Sequence, residues 1–378
     1  MVGHIPYNDH ILTITDTTTP DPYVVWDKGI YYMTWTAGDR IEIWSADSLF
    51  DLEKRARKDV IWRPPPNTPY SGDLWAPELH FLYGRWYVYF AADDPAHGNK
   101  SHRMFVLEGP LSDQSPLNPQ AWSFAGGLQG MPHDQWAIDG TIISLHGGLC
   151  FVYSGWPIGE QSNESKQELF IIEMASPTSC TGQPVRISTP DHPWEFSGNS
   201  GINEGPQFLS SLDGQWQGLV YSCAGSWTHE YKMNTLYFCG GSPLEAANWR
   251  KSEIPLLTAN RNDRPPYGPG HGNFVSVNGP AGLEIWGVFH ATDQKTGWEG
   301  RKARVMRVGW GQTGPFMGDG QCGSCSGDVN HFLHGQAPSW GGRGAAGGSN
   351  PGVGGGQGGG AGGGLKGDLK GLMKKFMK

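Results

Sequence analysis

The chain lacks several features that define large classes of protein. No run in its 378 residues approaches the ~18 consecutive apolar residues of a membrane-spanning helix. The first ten residues have neither the basic start nor the apolar stretch of a secretory signal peptide. Basic residues are few, since 28 Lys and Arg stand against 36 Asp and Glu, for a net charge of -8. A phosphate-binding surface needs the opposite balance, so nucleic acid is not an expected partner.

Cysteine is also scarce, and its six copies do not decide the redox compartment. Cys150, Cys223 and Cys239 fall in predicted strands, where a free cysteine acts as a small apolar residue. Cys223 and Cys239 flank one hairpin, so a disulfide between them is an open alternative that requires close, well-aligned Cβ atoms. Cys322 and Cys325 form a lone "CGSC" pair. A zinc site usually has four ligands, so a metal or redox role for this pair is not favoured.

Glycine and tryptophan are abundant, with 57 and 17 copies. Glycine is concentrated after residue 318, and we divide the chain into a folded domain (1–318), a flexible Gly-rich linker (319–364) and a basic amphipathic tail (365–378). The tail has apolar residues at helical spacing with lysines between them. It is either a helix that meets a membrane or a partner, or a disordered segment. The second interpretation is favoured, because Gly367 and Gly371 weaken a short isolated helix.

The folded domain repeats one pattern five times. Each copy has a short apolar run, a glycine-bearing turn, an aromatic-rich apolar run and a third run, at a spacing of roughly 55 to 67 residues. The copies open with the segments "DPYVVWDKGIYYMTW", "APELHFLYGRWYVYF", "DGTIISLHGGLCFVYS", "EGPQFLSSLDGQWQGLVYS" and "GHGNFVSVNGPAGLEIWGVF". Antiparallel strands in five such units predict an all-β fold, a five-bladed β-propeller.

Two local features accompany this prediction. The early segment "HILTITD" has strand character, and we expect it to supply the outer strand of the last blade and so close the ring. Residues 49–59 are the main helical candidate within the domain, placed in a turn between blades.

Three of the repeats open on a carboxylate: Asp21, Asp139 and Glu204. Equivalent positions in a propeller point at one central channel, so these acids are expected to meet there. Hydrolysis of a glycosidic bond needs an acid on the leaving oxygen and a second carboxylate on the other side, while a third can raise the pKa of the acid. Asp21 and Asp139 also fit ordinary turns, but a Glu in a Gly-Pro turn is harder to explain locally. The matched phase of the three favours a catalytic interpretation.

At this point residues 16–318 resemble glycoside hydrolase family 43, whose members are five-bladed propellers that hydrolyse arabinans, arabinoxylans and xylo-oligosaccharides with inversion. The "DP", "DGT" and "EGP" motifs carry the resemblance, together with the segment "WAPELH". The resemblance implies that Asp21 is the general base and Glu204 the general acid. It implies that Asp139 orients the substrate and raises the pKa of the acid.

The resemblance implies further site residues. His271, in "GPGHGNFV", corresponds to a histidine that binds calcium or sodium in similar enzymes, although calcium prefers oxygen ligands. A histidine that only hydrogen-bonds water is the alternative. Arg301 matches an arginine that contacts the sugar, with Arg304 as a competing match and a solvated arginine as the alternative.

The remaining candidates for substrate binding are aromatic or adjacent to the motifs. Trp75 and Trp156 fall just beyond inner strands, where either could stack on a sugar ring or could pack between blades. Asn203 beside the predicted acid and His80 in "WAPELH" are further candidates.

The predicted activity is that of an exo-acting α-L-arabinofuranosidase that releases arabinose from arabinan or arabino-oligosaccharides. β-Xylosidase and endo-arabinanase are the alternatives within the family, and a non-catalytic carbohydrate-binding propeller is the alternative from another class. We expect a neutral plant cell-wall polysaccharide or oligosaccharide as the partner, a monomer, and calcium as the one candidate cofactor. Extracellular action is expected from the resemblance. The lack of a visible signal peptide leaves an intracellular enzyme as the alternative.

Overall fold

The backbone is built almost entirely of β-strands. The structure, a computed structural model, describes residues 11–160, 163–259, 263–279, 282–318 and 320. Within these ranges there is no α-helix, and no helix is long and apolar enough to cross a membrane. Short 3-10 helices occur at Leu49–Asp51, Asn99–Ser101, Pro119–Ala121, Pro193–Glu195 and Ala246–Asn248. The fold is therefore all-β, as predicted. The predictions for the linker, the tail and the "CGSC" pair lie, apart from Gly320, outside the described residues.

Two antiparallel sheets of four strands come first along the chain, and in each the strands follow one another in sequence order. The short strand β1 (Leu12–Thr13) precedes them. The first sheet contains β2 (Tyr23–Asp27), β3 (Ile30–Thr34), β4 (Ile41–Ala46) and β5 (Arg57–Trp62). The second contains β6 (Gly72–Leu82), β7 (Arg85–Asp93), β8 (Arg103–Leu111) and β9 (Ser123–Gly127). Residues 49–59 thus form one 3-10 turn, further turn residues and the start of β5, and they lie between β4 and β5 of a single sheet. Both the helix prediction and the placement between blades were wrong there.

The middle of the chain forms a nine-stranded sheet that consists of two antiparallel halves. One half contains β10 (Ala137–Leu145), β11 (Gly148–Gly155), β12 (Lys166–Ser176) and β13 (Ser179–Ser188). The other contains β14 (Phe196–Ser197), β15 (Ser200–Ser210), β16 (Gln217–Cys223), β17 (Lys232–Phe238) and β18 (Trp249–Lys251). The halves join only through a parallel pairing of β12 with β15 at Lys166–Gly201 and Gln167–Ile202. The first half therefore repeats the four-strand arrangement of the earlier sheets, and the second half repeats it with β15 to β18 and adds the two-residue strand β14.

The last four-stranded sheet is completed by the start of the chain. It contains β19 (Tyr267–Gly279), β20 (Gly282–Thr292), β21 (Lys302–Arg307) and, outermost, β1. Leu12 pairs with Val305 and Thr13 pairs with Arg304. The prediction that the N-terminal segment covers this edge is confirmed. A small hairpin, β22 (Gly309–Gly311) with β23 (Gly314–Phe316), follows.

The first long strand of each unit contributes to a closed inner ring. β2 contacts β6, β6 contacts β10, β10 contacts β15, β15 contacts β19, and β19 returns to β2. The apolar core lies between successive sheets and not within one centre. For example, Ile43 of the first sheet and Trp86 of the second share one buried cluster, and Trp44 shares another with Trp286 of the last sheet. Burial of such side chains at about 25 cal/mol per Å² is what holds adjacent sheets together.

Each inner strand contains, or directly follows, a residue in the left-handed backbone region that stands immediately before a proline or glycine. These residues are Asp21, Ala76, Asp139, Gly205 and His271, with φ between 43° and 55°. Proline or glycine follows every one of them, and in the last four units the strand pairing shifts at this point. A left-handed residue in a strand forms a bulge that redirects the side chain. Four of these five residues, Asp21, Asp139, Gly205 and His271, are linked by direct contacts.

The cysteine alternative is settled for one pair. Cys150, Cys180, Cys223 and Cys239 are free thiols. Cys223 pairs with Lys232 at one end of the β16–β17 hairpin, whereas Cys239 follows Phe238 at the other end. A disulfide between Cys223 and Cys239 is therefore wrong, because the hairpin register separates the two residues by its whole length.

Candidate active site

Asp21 lies at the mouth of the inner ring, just before β2. Its carboxylate Oδ2 accepts a hydrogen bond of 2.7 Å from the Thr36 hydroxyl. The other oxygen, Oδ1, is 3.6 Å from Arg301 Nη1 and 3.3 Å from His290 Nδ1. The Asp21 backbone N–H donates to the same nitrogen of His290 at 3.1 Å. Thr36, Arg301 and His290 thus hold this carboxylate in place.

The charge on Asp21 is maintained by its cationic neighbours. Burial by itself raises the pKa of a carboxyl group. Here the positive charge of Arg301, then that of the His271 imidazole, together with the contact to His290, outweigh burial and hold the pKa of Asp21 far below its usual range. Asp21 is therefore an ionised carboxylate near neutral pH, which is the state that a general base requires.

His271 lies between two of the predicted acids. Its Nδ1 is 3.4 Å from Asp21 Oδ1 and 3.9 Å from Asp139 Oδ2. Its backbone N–H donates to the Ser222 hydroxyl at 2.7 Å. His271 is only 5% exposed. Its backbone has a φ of 50°, and the bulge at this position directs the side chain inward. One imidazole therefore bridges the first and third repeats.

Glu204 belongs to the same cluster, but it stands one residue before the left-handed position that Asp21 and Asp139 occupy in their own repeats. The left-handed residue of the fourth repeat is Gly205, whereas Asp21 and Asp139 occupy that position themselves. The Gly205 backbone N–H donates to Asp139 Oδ2 at 3.0 Å. A Cβ on Gly205 would lie 3.2 Å from His271 Nδ1. Position 205 therefore favours glycine, because its φ is 55° and because a side chain there would crowd His271. The acid Glu204 is the residue before it.

Burial raises the pKa of the other two carboxyl groups, Asp139 and Glu204. It raises the pKa of Glu204 despite a hydrogen bond from Tyr231, and the negative charge of Asp21 raises it further. Burial and the charges of Glu204 and Asp21 raise the pKa of Asp139, against the lowering effect of His271. Three carboxyls in one buried cluster therefore divide into an ionised member, Asp21, and a pair that retains a proton near neutral pH.

The structure places the two predicted tryptophans differently. Trp75 is half-buried, and one face stacks on His102 at a centroid distance of 3.8 Å. Trp156 is 2% exposed and stacks on Trp136 at 5.0 Å. A sugar-stacking role for Trp156 is therefore corrected to packing, because neither face is open to a ligand. For Trp75, stacking on a sugar ring stays a prediction.

Two polar candidates are occupied by protein groups. Asn203 is completely buried, its Nδ2 donates to Glu195 Oε1 at 2.8 Å, and its Oδ1 accepts from Ser188 at 2.7 Å. His80 is 8% exposed, with Nε2 at 2.7 Å from Glu78 Oε2 and Nδ1 at 3.4 Å from the Tyr23 hydroxyl. Substrate binding by either residue is corrected to a structural role, since their polar atoms already have partners.

The structure distinguishes the two arginines. Arg301 reaches Asp21, as described above. Arg304 belongs to β21, where its guanidinium contacts Thr13 at 3.0 Å and Asp293 at 3.0 Å. Arg304 thus anchors the closing strand β1, and Arg301 is the arginine of the site.

Sequence reasoning missed His290, Tyr231 and Thr36. His290 sits in the apolar run "WGVFHAT" of β20, and an isolated histidine in such a run was the one signal present. Its ring stacks on Tyr231 at 5.6 Å with an interplanar angle of 10°. Burial lowers the pKa of His290 to about 4. The ring is therefore uncharged near neutral pH, and its Nδ1 accepts a hydrogen bond from the Asp21 backbone N–H.

The residues present do not form a protein cage for calcium. Among the described residues no group of three or more His, Cys, Asp or Glu side chains is arranged to hold a metal ion. Calcium takes six to eight oxygen ligands, whereas His271 offers a nitrogen, and its Nδ1 faces Asp21 and Asp139. A calcium ion held through His271 stays a prediction, and no chemical step below depends on it.

Comparison with known proteins decides the family. Residues 13–316 match the family described as Glycosyl hydrolases family 43. The chain belongs to glycosyl hydrolases family 43. It is 35% identical over 271 residues to the extracellular exo-alpha-(1->5)-L-arabinofuranosidase of Streptomyces chartreusis, covering 71% of this chain and 77% of that protein. It is 32% identical to alpha-L-arabinofuranosidase 43 of Humicola insolens, covering 78% of this chain and 60% of that protein.

A solved structure supports the same assignment. The crystal structure of alpha-L-arabinofuranosidase from Lactobacillus brevis matches with a TM-score of 0.72 and 27% sequence identity, covering 82% of this chain and 97% of that one. This member of glycosyl hydrolases family 43 is therefore a glycosidase that hydrolyses O-glycosyl bonds. The family assignment agrees with the resemblance in the motifs.

Proposed function

We propose that this chain is an exo-acting α-L-arabinofuranosidase that releases arabinose from arabinan or arabino-oligosaccharides with inversion. The observation that supports it most directly is the buried cluster of Asp21, Asp139 and Glu204 around His271. The names of the relatives at 35% and 32% identity support the sugar.

Each carboxyl group has a role that follows from its environment. Glu204, protonated through burial, donates its proton to the leaving glycosidic oxygen. Asp21, kept ionised by Arg301, removes a proton from the water that attacks the anomeric carbon from the other face. Asp139 orients the sugar and, because the Asp139 and Glu204 carboxylates repel each other when both are ionised, helps to keep a proton on the pair. Trp75 offers its free face to a sugar ring, and Arg301 a hydrogen-bond donor.

The wider arrangement is part of the proposal. The closed contact ring of β2, β6, β10, β15 and β19 supports five blades. The enzyme is proposed to act as a monomer on plant cell-wall saccharides outside the cell, where the Streptomyces chartreusis relative is named as acting. A calcium ion at His271 is proposed as an accessory. If extensive chelation leaves both activity and thermal unfolding unchanged, calcium has no part in this enzyme.

The sugar is tested with two chromogenic substrates. We expect release from 4-nitrophenyl α-L-arabinofuranoside and little from the β-D-xyloside. The reverse preference would make the chain a β-xylosidase. Time-resolved chromatography of linear arabino-oligosaccharides separates exo action, which yields arabinose from the start, from endo action, which yields shorter oligomers.

The catalytic class is tested at Glu204. Glu204→Gln should lower kcat by ~10³-fold or more on an arabino-oligosaccharide, and far less on a dinitrophenyl arabinofuranoside, whose leaving group needs no proton. Glu253→Gln, on an 85% exposed side chain, is the matched control. Wild-type protein that binds arabino-oligosaccharides without cleaving any glycoside would instead indicate a carbohydrate-binding propeller. Proton NMR of the first product gives the stereochemistry, and retention would remove the water-activating role from Asp21.

A further inference from the structure

The orientation of Arg301 depends on a backbone carbonyl three residues earlier in the chain. Arg301 Nε donates to the Trp298 carbonyl at 3.1 Å, while Nη1 lies 3.6 Å from Asp21 Oδ1. Because the guanidinium is planar with its N–H groups in a fixed fork, anchoring Nε determines where Nη1 points. The position of the Trp298 carbonyl therefore sets the position of the charge beside the proposed base.

The loop that carries this carbonyl, residues 293–301, is tied to a second loop, residues 224–231. The Trp298 indole N–H donates to the Ser226 hydroxyl at 3.1 Å. Its ring meets Trp227 edge to face at a centroid distance of 6.0 Å. The Gly297 N–H donates to the Trp227 carbonyl at 2.8 Å. We call these two loops, joined through Trp298, the rim clamp.

The second loop, residues 224–231, is anchored in the site by a buried residue. It ends at Tyr231, which is 1% exposed and stacks on His290. The Tyr231 ring fills the space beside Gly270, where a Cβ would lie 1.9 Å from it. Tyr231 also hydrogen-bonds Glu204. One loop of the rim clamp thus contacts the proposed acid, and the other contacts the proposed base.

We propose that Trp298 is a positioning residue for the hydrolytic reaction: its indole locks loop 293–301 onto loop 224–231, and its carbonyl thereby aims Arg301 at Asp21. Trp298 does not touch the reacting atoms. Its effect passes through Arg301. This inference rests on the proposed function of the same site.

The test is a double-mutant cycle on the full chain with 4-nitrophenyl α-L-arabinofuranoside. Trp298→Ala should lower kcat by roughly 10- to 100-fold, since a displacement of about 1 Å costs up to that much. Arg301→Ala should lower it at least as far. In the Arg301→Ala background, Trp298→Ala should have less than about a threefold further effect, because interacting residues are not additive. Full additivity of the two losses would overturn the proposal.

Three further variants separate positioning from general damage to the fold. Ser226→Ala removes only the acceptor of the indole N–H, so it should lower kcat by a few-fold in the wild type and not in the Arg301→Ala background. Trp298→Phe keeps a ring against Trp227 and should recover most of the loss. Trp26→Ala, on a 48% exposed side chain at the far end of β2, is the matched control and should leave kcat unchanged.

Failure of this inference is distinguishable from failure of the proposed function. Wild-type protein without activity on any arabinofuranoside rejects the function. Active wild-type protein in which Ser226→Ala and Trp298→Ala act equally in both backgrounds rejects only the positioning role. Thermal unfolding of each variant identifies any that fails to fold. If Trp298→Ala does not fold, the double-mutant cycle with Arg301→Ala is carried out with Ser226→Ala, a change in a loop.

Discussion

Asp21 and His290 are in contact through both the backbone and the side chain of the aspartate. The Asp21 N–H donates to His290 Nδ1 at 3.1 Å, and Asp21 Oδ1 lies 3.3 Å from that nitrogen. An acceptor for this amide matters because Asp21 has a φ of 55°, a left-handed conformation that costs free energy for a residue with a Cβ, even though Asp tolerates it better than most. The hydrogen bond offsets part of that strain at the residue proposed to activate water.

Replacing His290 tests this contact. His290→Phe keeps a ring on Tyr231 but leaves the buried Asp21 amide without an acceptor, which costs about 1–3 kcal/mol. We expect a lower free energy of unfolding and a fall in kcat of at least ~10-fold. His290→Asn, whose Oδ1 can replace Nδ1, should retain more of both. Chemical denaturation and steady-state kinetics provide the measurements, and a Phe variant equal to wild type in both would contradict the role.

Asp139→Asn tests the electrostatics of the carboxyl pair. The general acid must be protonated, so activity is lost as the pH rises through the pKa of Glu204. Asp139 and Glu204 repel each other when both are ionised, so removing the Asp139 carboxylate removes a repulsion that keeps a proton on the pair. The alkaline limb of the kcat/KM profile should therefore move to lower pH, by about one unit or more. An unmoved limb would show that Asp139 does not modulate the acid.

The same variant should change how stability depends on pH. The pKa of Asp139 is raised in the folded protein, so its stabilising contribution is complete below the unfolded pKa of about 4 and is lost as the pH rises through the raised pKa. Asn carries no such penalty and can still accept the Gly205 N–H. The melting temperature of Asp139→Asn should thus exceed that of wild type above neutral pH. The gap should close toward pH 4, and a constant gap would argue against the linkage.

The closing strand can be tested by truncation. Leu12 and Ile14 are 1% and 5% exposed, and removal of two such side chains forfeits about 3–6 kcal/mol of burial. Deleting residues 1–16 also opens the edge of β21. We expect the melting temperature to fall by at least about 5 °C. Deleting only residues 1–9, which leaves β1 in place, is the control and should have a much smaller effect.

Substitutions at the inner-strand bulges of two neighbouring units should change the free energy of unfolding in opposite directions. Ala76 has a φ of 43°, so Ala76→Gly relieves ~1–2 kcal/mol of strain against a smaller cost in unfolded-chain entropy. A Cβ on Gly140 would lie 2.0 Å from the Phe151 ring, so Gly140→Ala should destabilise by about 1–3 kcal/mol or more. Denaturant unfolding measures both. Equal signs for the two changes would reject this account of the inner strands.

The sequence by itself determined the repeat, the all-β fold, the closing role of the N-terminal segment and the three carboxylates. These follow from local information. Strand periodicity and turn residues recur at a fixed spacing, and the motifs at Asp21, Asp139 and Glu204 recur in phase with it. A repeated unit also implies that equivalent positions face the same axis, which is why residues far apart in the chain could be expected to meet.

Only the tertiary structure decided which neighbours give those residues their chemistry. Trp75 and Trp156 look alike in sequence, but contacts from other strands leave one half-buried and enclose the other. Glu204 enters the cluster one residue before the bulge because Gly205 occupies the left-handed position. His290, Tyr231 and Trp298 act through hydrogen bonds and ring contacts between separate units. Such long-range contacts leave no local pattern in a single chain, since each depends on how the sheets pack and not on the residues beside it.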